Sequence, residues 1–179
     1  MQEHGLKISE LVTLFNLEVL NRGSDYDTAL LTITDVNRPG LQFHSFYDYF
    51  DPRRLQVLGK AEITYLKGLT TEQRRKCFDD LFLYDIPALV ISRGLDCFPE
   101  CLESARVHER TLLRTEETTV EFTSHTIEYL NRVLAPCVTR HGVLLDISGE
   151  GVMITGDSGI GKSETAIELL KRGHRLVAD

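Results

Sequence analysis

The sequence predicts an α/β chain in two parts: an N-terminal mixed α/β domain over residues 1–130 and the opening of a phosphate-binding-loop domain over residues 131–179. Three observations carry this. Short apolar runs of strand length alternate with segments of helical apolar spacing along the whole chain. One such run, Gly151 to Thr155, passes directly into a glycine loop and then an amphipathic segment. The charge also changes character: residues 131–179 hold six acids and six bases, residues 1–130 hold 21 against 14, so the excess behind the net −7 lies in the first part.

In chain order, residues 6–15 (Leu6, Ile8, Leu11, Val12, Leu14, Phe15) have the spacing of a short amphipathic helix. Leu17 to Leu20 reads as a strand, Asn21 to Asp25 as a turn, and Ala29 to Ile33 as a second strand. Asp35 to Gly40 reads as a loop closed by Pro39-Gly40. Tyr47-Asp48-Tyr49-Phe50 is expected in core and interface rather than in a pocket. Residues 71–84 open near a capping box and continue helically through Cys77, Phe78, Leu81 and Phe82. Pro87 ends that element, and Ala88 to Ile91 suits a buried strand. Pro99 opens a short helix over 99–105, residues 107–114 form a weaker strand, and Thr118 to Leu134 forms a long helix stopped by Pro136. Beyond it, Gly142 to Ile147 and Gly151 to Thr155 read as strands joined by a tight turn. A helix over 161–172 and a strand at Leu176 to Ala178 follow.

Composition excludes some functions. An acidic chain without a clustered basic surface argues against a nucleic-acid partner. No apolar run approaches the roughly 18 residues of a membrane span, and the polar, mixed-charge start does not read as a signal peptide. A cytoplasmic protein is expected. Cys97 and Cys101 have C-x₃-C spacing, but neither they nor Cys77 and Cys137 have a second pair at zinc-site spacing. They are expected to be reduced, structural thiols.

The chemistry sits at Gly156-Asp157-Ser158-Gly159-Ile160-Gly161-Lys162-Ser163, a match to G-x-x-x-x-G-K-[ST]. Glycines let the backbone approach a ligand closely and turn successive N–H groups into one concavity. The helix that follows adds the positive end of its dipole. Lys162 would reach the β/γ-phosphates, and the Ser163 hydroxyl would ligate Mg²⁺. With Gly at about 7% of residues, the fixed positions coincide by accident in a chain this long at roughly the one per cent level. The preceding strand and following helix supply the context the motif requires. The motif gives no reaction by itself.

The tract from His141 through Ile147, and then Gly151 to Asp179 with its Gly-Lys-Ser-Glu-Thr-Ala and Arg-Gly-His-Arg-Leu-Val-Ala-Asp runs, closely resembles the HPr kinase/phosphorylase family. Arg38-Pro39-Gly40-Leu41, Tyr49-Phe50, Leu55 to Lys60 and Ile91 to Leu95 resemble that family's N-terminal domain. The resemblance implies a bifunctional, Mg²⁺-dependent homohexamer of carbon catabolite control. Such an enzyme phosphorylates a regulatory serine of the phosphocarrier HPr with ATP or pyrophosphate. It removes that phosphate by phosphorolysis. The resemblance also implies a catalytic domain like that of nucleotide-dependent phosphoenolpyruvate carboxykinase, with residues 156–163 binding nucleotide, Lys162 catalytic, Ser163 a magnesium ligand, and His141 at the active site. His174 is expected to pack at a helix–strand junction and Glu164 to be structural. The family places a second aspartate after Ala-Asp as proton acceptor and donor, whereas the sequence stops at Asp179. These 179 residues alone are therefore expected to bind phosphate without transferring it. The alternative is a non-catalytic regulatory or phosphate-sensing module.

Overall fold

The computed structural model describes residues 5–136 and 140–178, so Cys137 and Asp179 lie outside the described residues. The chain divides into two compact units, Met1–Ala135 and Pro136–Asp179.

The first unit opens with β1 (Leu6–Lys7), α1 (Ile8–Leu14), β2 (Glu18–Asn21), β3 (Leu30–Leu31) and β4 (Val36–Asn37). It continues with β5 (Leu55–Leu58), α2 (Lys60–Lys67), α3 (Thr71–Phe82), β6 (Leu89–Ile91), α4 (Pro99–Val107), β7 (Leu112–Arg114) and α5 (Thr119–Val133). Five strands form one sheet in the order β2-β7-β6-β5-β4. Strands β4 to β7 are parallel, and β2 runs antiparallel against β7. β1 and β3 make a separate two-stranded pair.

Strand side chains alternate between faces, and the core divides accordingly. Leu58, Leu89, Ile91 and Leu112 pack with α2, α3 and α4 through Ile63, Leu66, Phe78, Leu81, Phe82, Cys101 and Ala105. Leu55, Val57, Ala88, Val90 and Leu113 pack on the other face with α1 and α5, through Ile8, Leu11, Phe122 and Leu130. The crossover helices α2, α3 and α4 thus share one face, as same-handed connections through sequentially ordered parallel strands require. With both faces covered, β5 and β6 are buried along their whole length.

Two helices start as their sequences specify. The Thr70 hydroxyl accepts from the Gln73 amide at 3.3 Å, and the Gln73 side chain accepts from the Thr70 amide at 2.9 Å. Thr118 and Glu121 make the same reciprocal box on α5.

The structure differs from the sequence reading at several places. The segment 6–15 is helical only from Ile8, because Leu6–Lys7 pairs with Leu30–Leu31. The expected strand over 29–33 shortens to those two residues, and the 35–40 loop contains β4. β5 and α2 were not anticipated. β5 carries Gln56 in a buried strand, which breaks the apolar run. Its amide is satisfied internally, accepting from Asn37 at 2.6 Å and donating to the Arg54 carbonyl at 2.7 Å. Within 47–50, Tyr47 stacks on Tyr84 at 4.8 Å and Phe50 packs edge-on to both. Tyr49 is fully exposed with a left-handed backbone.

In the second unit, β8 (Gly142–Ile147), β9 (Glu150–Thr155), α6 (Lys162–Lys171) and β10 (Arg175–Ala178) form a sheet of order β10-β8-β9 against one helix. Val143 and Leu145 of β8 and Ala166 of α6 are its buried centre. No helix among the described residues is long and apolar enough to cross a membrane.

Three substitutions test the first unit. Phe122→Ala should lower unfolding free energy by roughly 3–5 kcal/mol, because a ring fully buried between α5 and the sheet leaves a cavity. The exposed neighbour Val120→Ala should change it by less than about 0.5 kcal/mol. Thr118→Ala should cost about 1 kcal/mol through loss of the cap. Urea unfolding followed by far-ultraviolet circular dichroism measures all three.

Candidate functional site

The glycine loop lies in the second unit, between the last residue of β9 and the first turn of α6. Its shape follows from three glycines. Gly156, Gly159 and Gly161 have φ of 153°, 82° and 98°, backbone conformations that side-chain-bearing residues rarely adopt. The chain thereby turns from the strand to the helix within six residues.

Gly161 occupies the cap position of α6 in left-handed conformation and offers no side-chain cap. The first-turn amides of a helix have no intrahelical acceptor, and Gly161 puts no side chain over them. Glu164 sits in the first turn, where a carboxylate is favoured by the helix dipole. The Thr165 hydroxyl turns back to the Gly161 carbonyl at 2.9 Å and ties the cap to the helix.

Lys162 is the first residue of α6. Its ammonium folds back across the loop and donates to the carbonyls of Gly156 at 2.9 Å and Asp157 at 2.7 Å. A point charge is thus held over the concavity while the surrounding loop stays open: Asp157, Ser158, Gly159, Ile160 and Ser163 are all exposed. Residues 156–163 therefore combine three positive-φ glycines, one ammonium and two exposed serine hydroxyls, Ser158 and Ser163, a set that suits polyanionic oxygen. The Ser163 hydroxyl is exposed on the first turn of α6. Among the described residues, no group of three or more His, Cys, Asp or Glu could by itself hold a metal.

His141 is brought to the same edge by strand pairing. β8 and β9 are antiparallel in unbroken register from Ile147↔Glu150 to Gly142↔Thr155. The ladder ends at Gly142↔Thr155, so His141 directly precedes β8 at the end of the sheet where β9 passes into the loop. The imidazole is exposed. His174 lies elsewhere: half-buried at the end of α6, its amide bonds the Leu169 carbonyl at 3.2 Å just before β10 begins.

One contributor was not singled out from sequence. A Cβ on Gly142 would stand 2.6 Å from the Ile154 carbonyl oxygen, so the close approach of β8 and β9 beside the loop depends on glycine there. The only available signal was a glycine at the start of an apolar strand, where it commonly marks a close backbone approach.

Comparison with known proteins identifies the family. Residues 6–130 match the family described as HPr Serine kinase N terminus, and residues 132–179 match HPr Serine kinase C-terminal domain. An HPr kinase/phosphorylase of Alkaliphilus metalliredigens is 48% identical over 174 residues, covering 97% of this chain and 56% of the relative. That of Clostridium tetani is 48% identical over 175 residues, covering 98% and 57%. The chain thus spans a little over half the length of the curated relatives it matches. A solved structure of the CBS and DRTGG domains of the regulatory region of Clostridium perfringens pyrophosphatase, complexed with its activator diadenosine tetraphosphate, shares the fold at a TM-score of 0.50 and 15% identity. The match covers 71% of this chain and 49% of that one. Sequence matches to both domain families, continuous across nearly the whole chain, show that it belongs to the HPr kinase family.

Proposed function

We propose that this chain supplies the phosphate cradle of a protein-serine phosphotransferase acting on the phosphocarrier HPr. The carrying observation is the glycine loop with the Lys162 ammonium folded into it, in a chain whose relatives are named HPr kinase/phosphorylase. In this reading ATP or pyrophosphate lays its phosphates against the loop from Gly156 to Ser163. Lys162 releases its two carbonyl partners and moves onto the β/γ-phosphate oxygens. The open first-turn amides of α6 stabilise the charge that spreads over the transferring group. Mg²⁺, when bound, would neutralise phosphate charge from the side of the Ser163 hydroxyl.

His141, one position beyond the Gly142↔Thr155 pair, orients the phosphoryl group or shares its proton traffic. The reverse reaction, phosphorolysis of seryl-phosphate to pyrophosphate, would use the same cradle for the attacking phosphate. The full protein is proposed to be a cytoplasmic homohexamer, and the first unit to serve a regulatory role rather than hold reacting groups. These 179 residues alone are proposed to bind phosphate without transferring it.

Three measurements test the proposal. Calorimetric titration of the 179-residue chain with pyrophosphate should show binding. Lys162→Ala should weaken it about tenfold or more, the cost of one lost charge-assisted contact. Unchanged affinity would remove Lys162 from the cradle. In the full-length protein, Lys162→Ala should reduce phosphate transfer to HPr by about 100-fold or more. His141→Ala should reduce the same transfer by roughly 100-fold while leaving nucleotide affinity within about threefold. A parallel fall in affinity would make His141 a binding residue instead.

A further inference from the structure

The first unit holds a second chemical feature, unrelated to the phosphate loop. Cys97 stands immediately before α4, Phe98 is its cap, Pro99 its first residue, and Cys101 lies in the opening turn. Phe98 provides no side-chain cap. The Cys97 thiol donates to the Phe98 carbonyl at 3.4 Å, and the Cys101 thiol lies close enough to the Cys97 sulfur for the two to interact. Both sulfurs belong to the same apolar cluster, but unequally. Cys101 is fully buried beneath α3 and the sheet, whereas Cys97 packs only partly against that cluster and keeps one side in solvent.

We propose that Cys97 and Cys101 form a reactive dithiol, a modification site in which Cys97 meets an incoming small disulfide and Cys101 resolves the adduct into an internal disulfide.

The surroundings suit these roles. The interaction with Cys101 holds the Cys97 thiol below its usual range against the opposing effect of burial, and the nearby Arg114 guanidinium adds to it. Burial pushes the Cys101 thiol well up, so it stays protonated until its neighbour is modified. Cys77 on α3 is a built-in comparison. Burial pushes its thiol up, and it donates to the Phe43 carbonyl at 3.4 Å. Reaction rate follows thiolate fraction and access, and both favour Cys97.

In the first step the Cys97 thiolate attacks one sulfur of a disulfide RSSR. The reagent's S–S bond breaks, and the departing RS⁻ takes up the proton Cys97 has lost. In the second step the Cys101 sulfur loses its proton and attacks the Cys97 sulfur. The mixed disulfide breaks, and the second RS⁻ leaves as RSH. Two chain thiols are oxidised by two electrons, one reagent disulfide is reduced to two thiols, and excess thiol reverses the sequence.

The experiment uses the reduced 179-residue chain with glutathione disulfide at neutral pH, quenched with acid, alkylated and mapped by mass. The expected product is a disulfide joining Cys97 to Cys101, regenerated to dithiol by excess glutathione. Cys101→Ser should stop with one glutathione on Cys97, and Cys97→Ser should leave Cys101 unmodified. In the unmutated folded chain, alkylation of the partly exposed Cys97 should outpace that of the buried Cys77 by about tenfold or more. Equal alkylation rates would overturn the proposal. So would a link from either thiol to Cys77 or Cys137, or a glutathione adduct on Cys97 that never resolves.

Discussion

The second unit depends on one constraint: the register between β8 and β9. Six consecutive pairs run from the Ile147↔Glu150 turn to Gly142↔Thr155 without a bulge. That ladder aims the end of β9 into the glycine loop and leaves His141 one residue beyond its last pair. It closes only because Gly142 lacks a side chain where the Ile154 carbonyl passes. A slip of one residue would turn Val143 and Leu145 away from Ala166 and empty the small core that seats α6. The geometry of the glycine loop and the folding stability of this unit therefore rest on the same backbone contact.

The first unit is organised around complete burial of its two central strands. Layers of helix on both faces remove β5 and β6 from water, and the ends of the covering helices are pinned by charge. Arg74 of α3 reaches the Glu100 carboxylate of α4 at 2.8 Å, donates to the Leu69 carbonyl at 2.7 Å, and lies over the Phe98 ring. Both charged groups are largely shielded, a setting where removing one partner costs more than the pair contributes. This junction holds the start of α4, and with it the two thiols, against α3.

Legibility from sequence followed the strength of the local signal. α3 and α5 announce themselves with reciprocal caps and apolar spacing, and α6 with the loop before it, so their positions were readable. The phosphate loop was readable because its glycines are needed for backbone reasons that no packing can replace. β4, β5 and α2 were not readable. β4 has only two residues. β5 hides a glutamine inside a buried strand, where its partners, Asn37 and the Arg54 carbonyl, are set by tertiary structure. α2 is short and carries Ile63, Thr64 and Tyr65, residues of weak helix preference. The thiol pair was visible as a spacing, yet its asymmetry of exposure is a property of the fold. His141 was placed by resemblance, and the strand register reaches only to its neighbour Gly142.

The Asn37–Gln56 contact has a consequence for how the sheet is assembled. β4 brings two residues to its parallel partner, too few for apolar matching to choose one alignment over another. A buried carboxamide that accepts from one neighbour at 2.6 Å does make that choice, because every shifted alignment strands a polar group in a dry interior. The edge strand is thus located by a polar latch, and the chain closes its sheet with a single permitted fit.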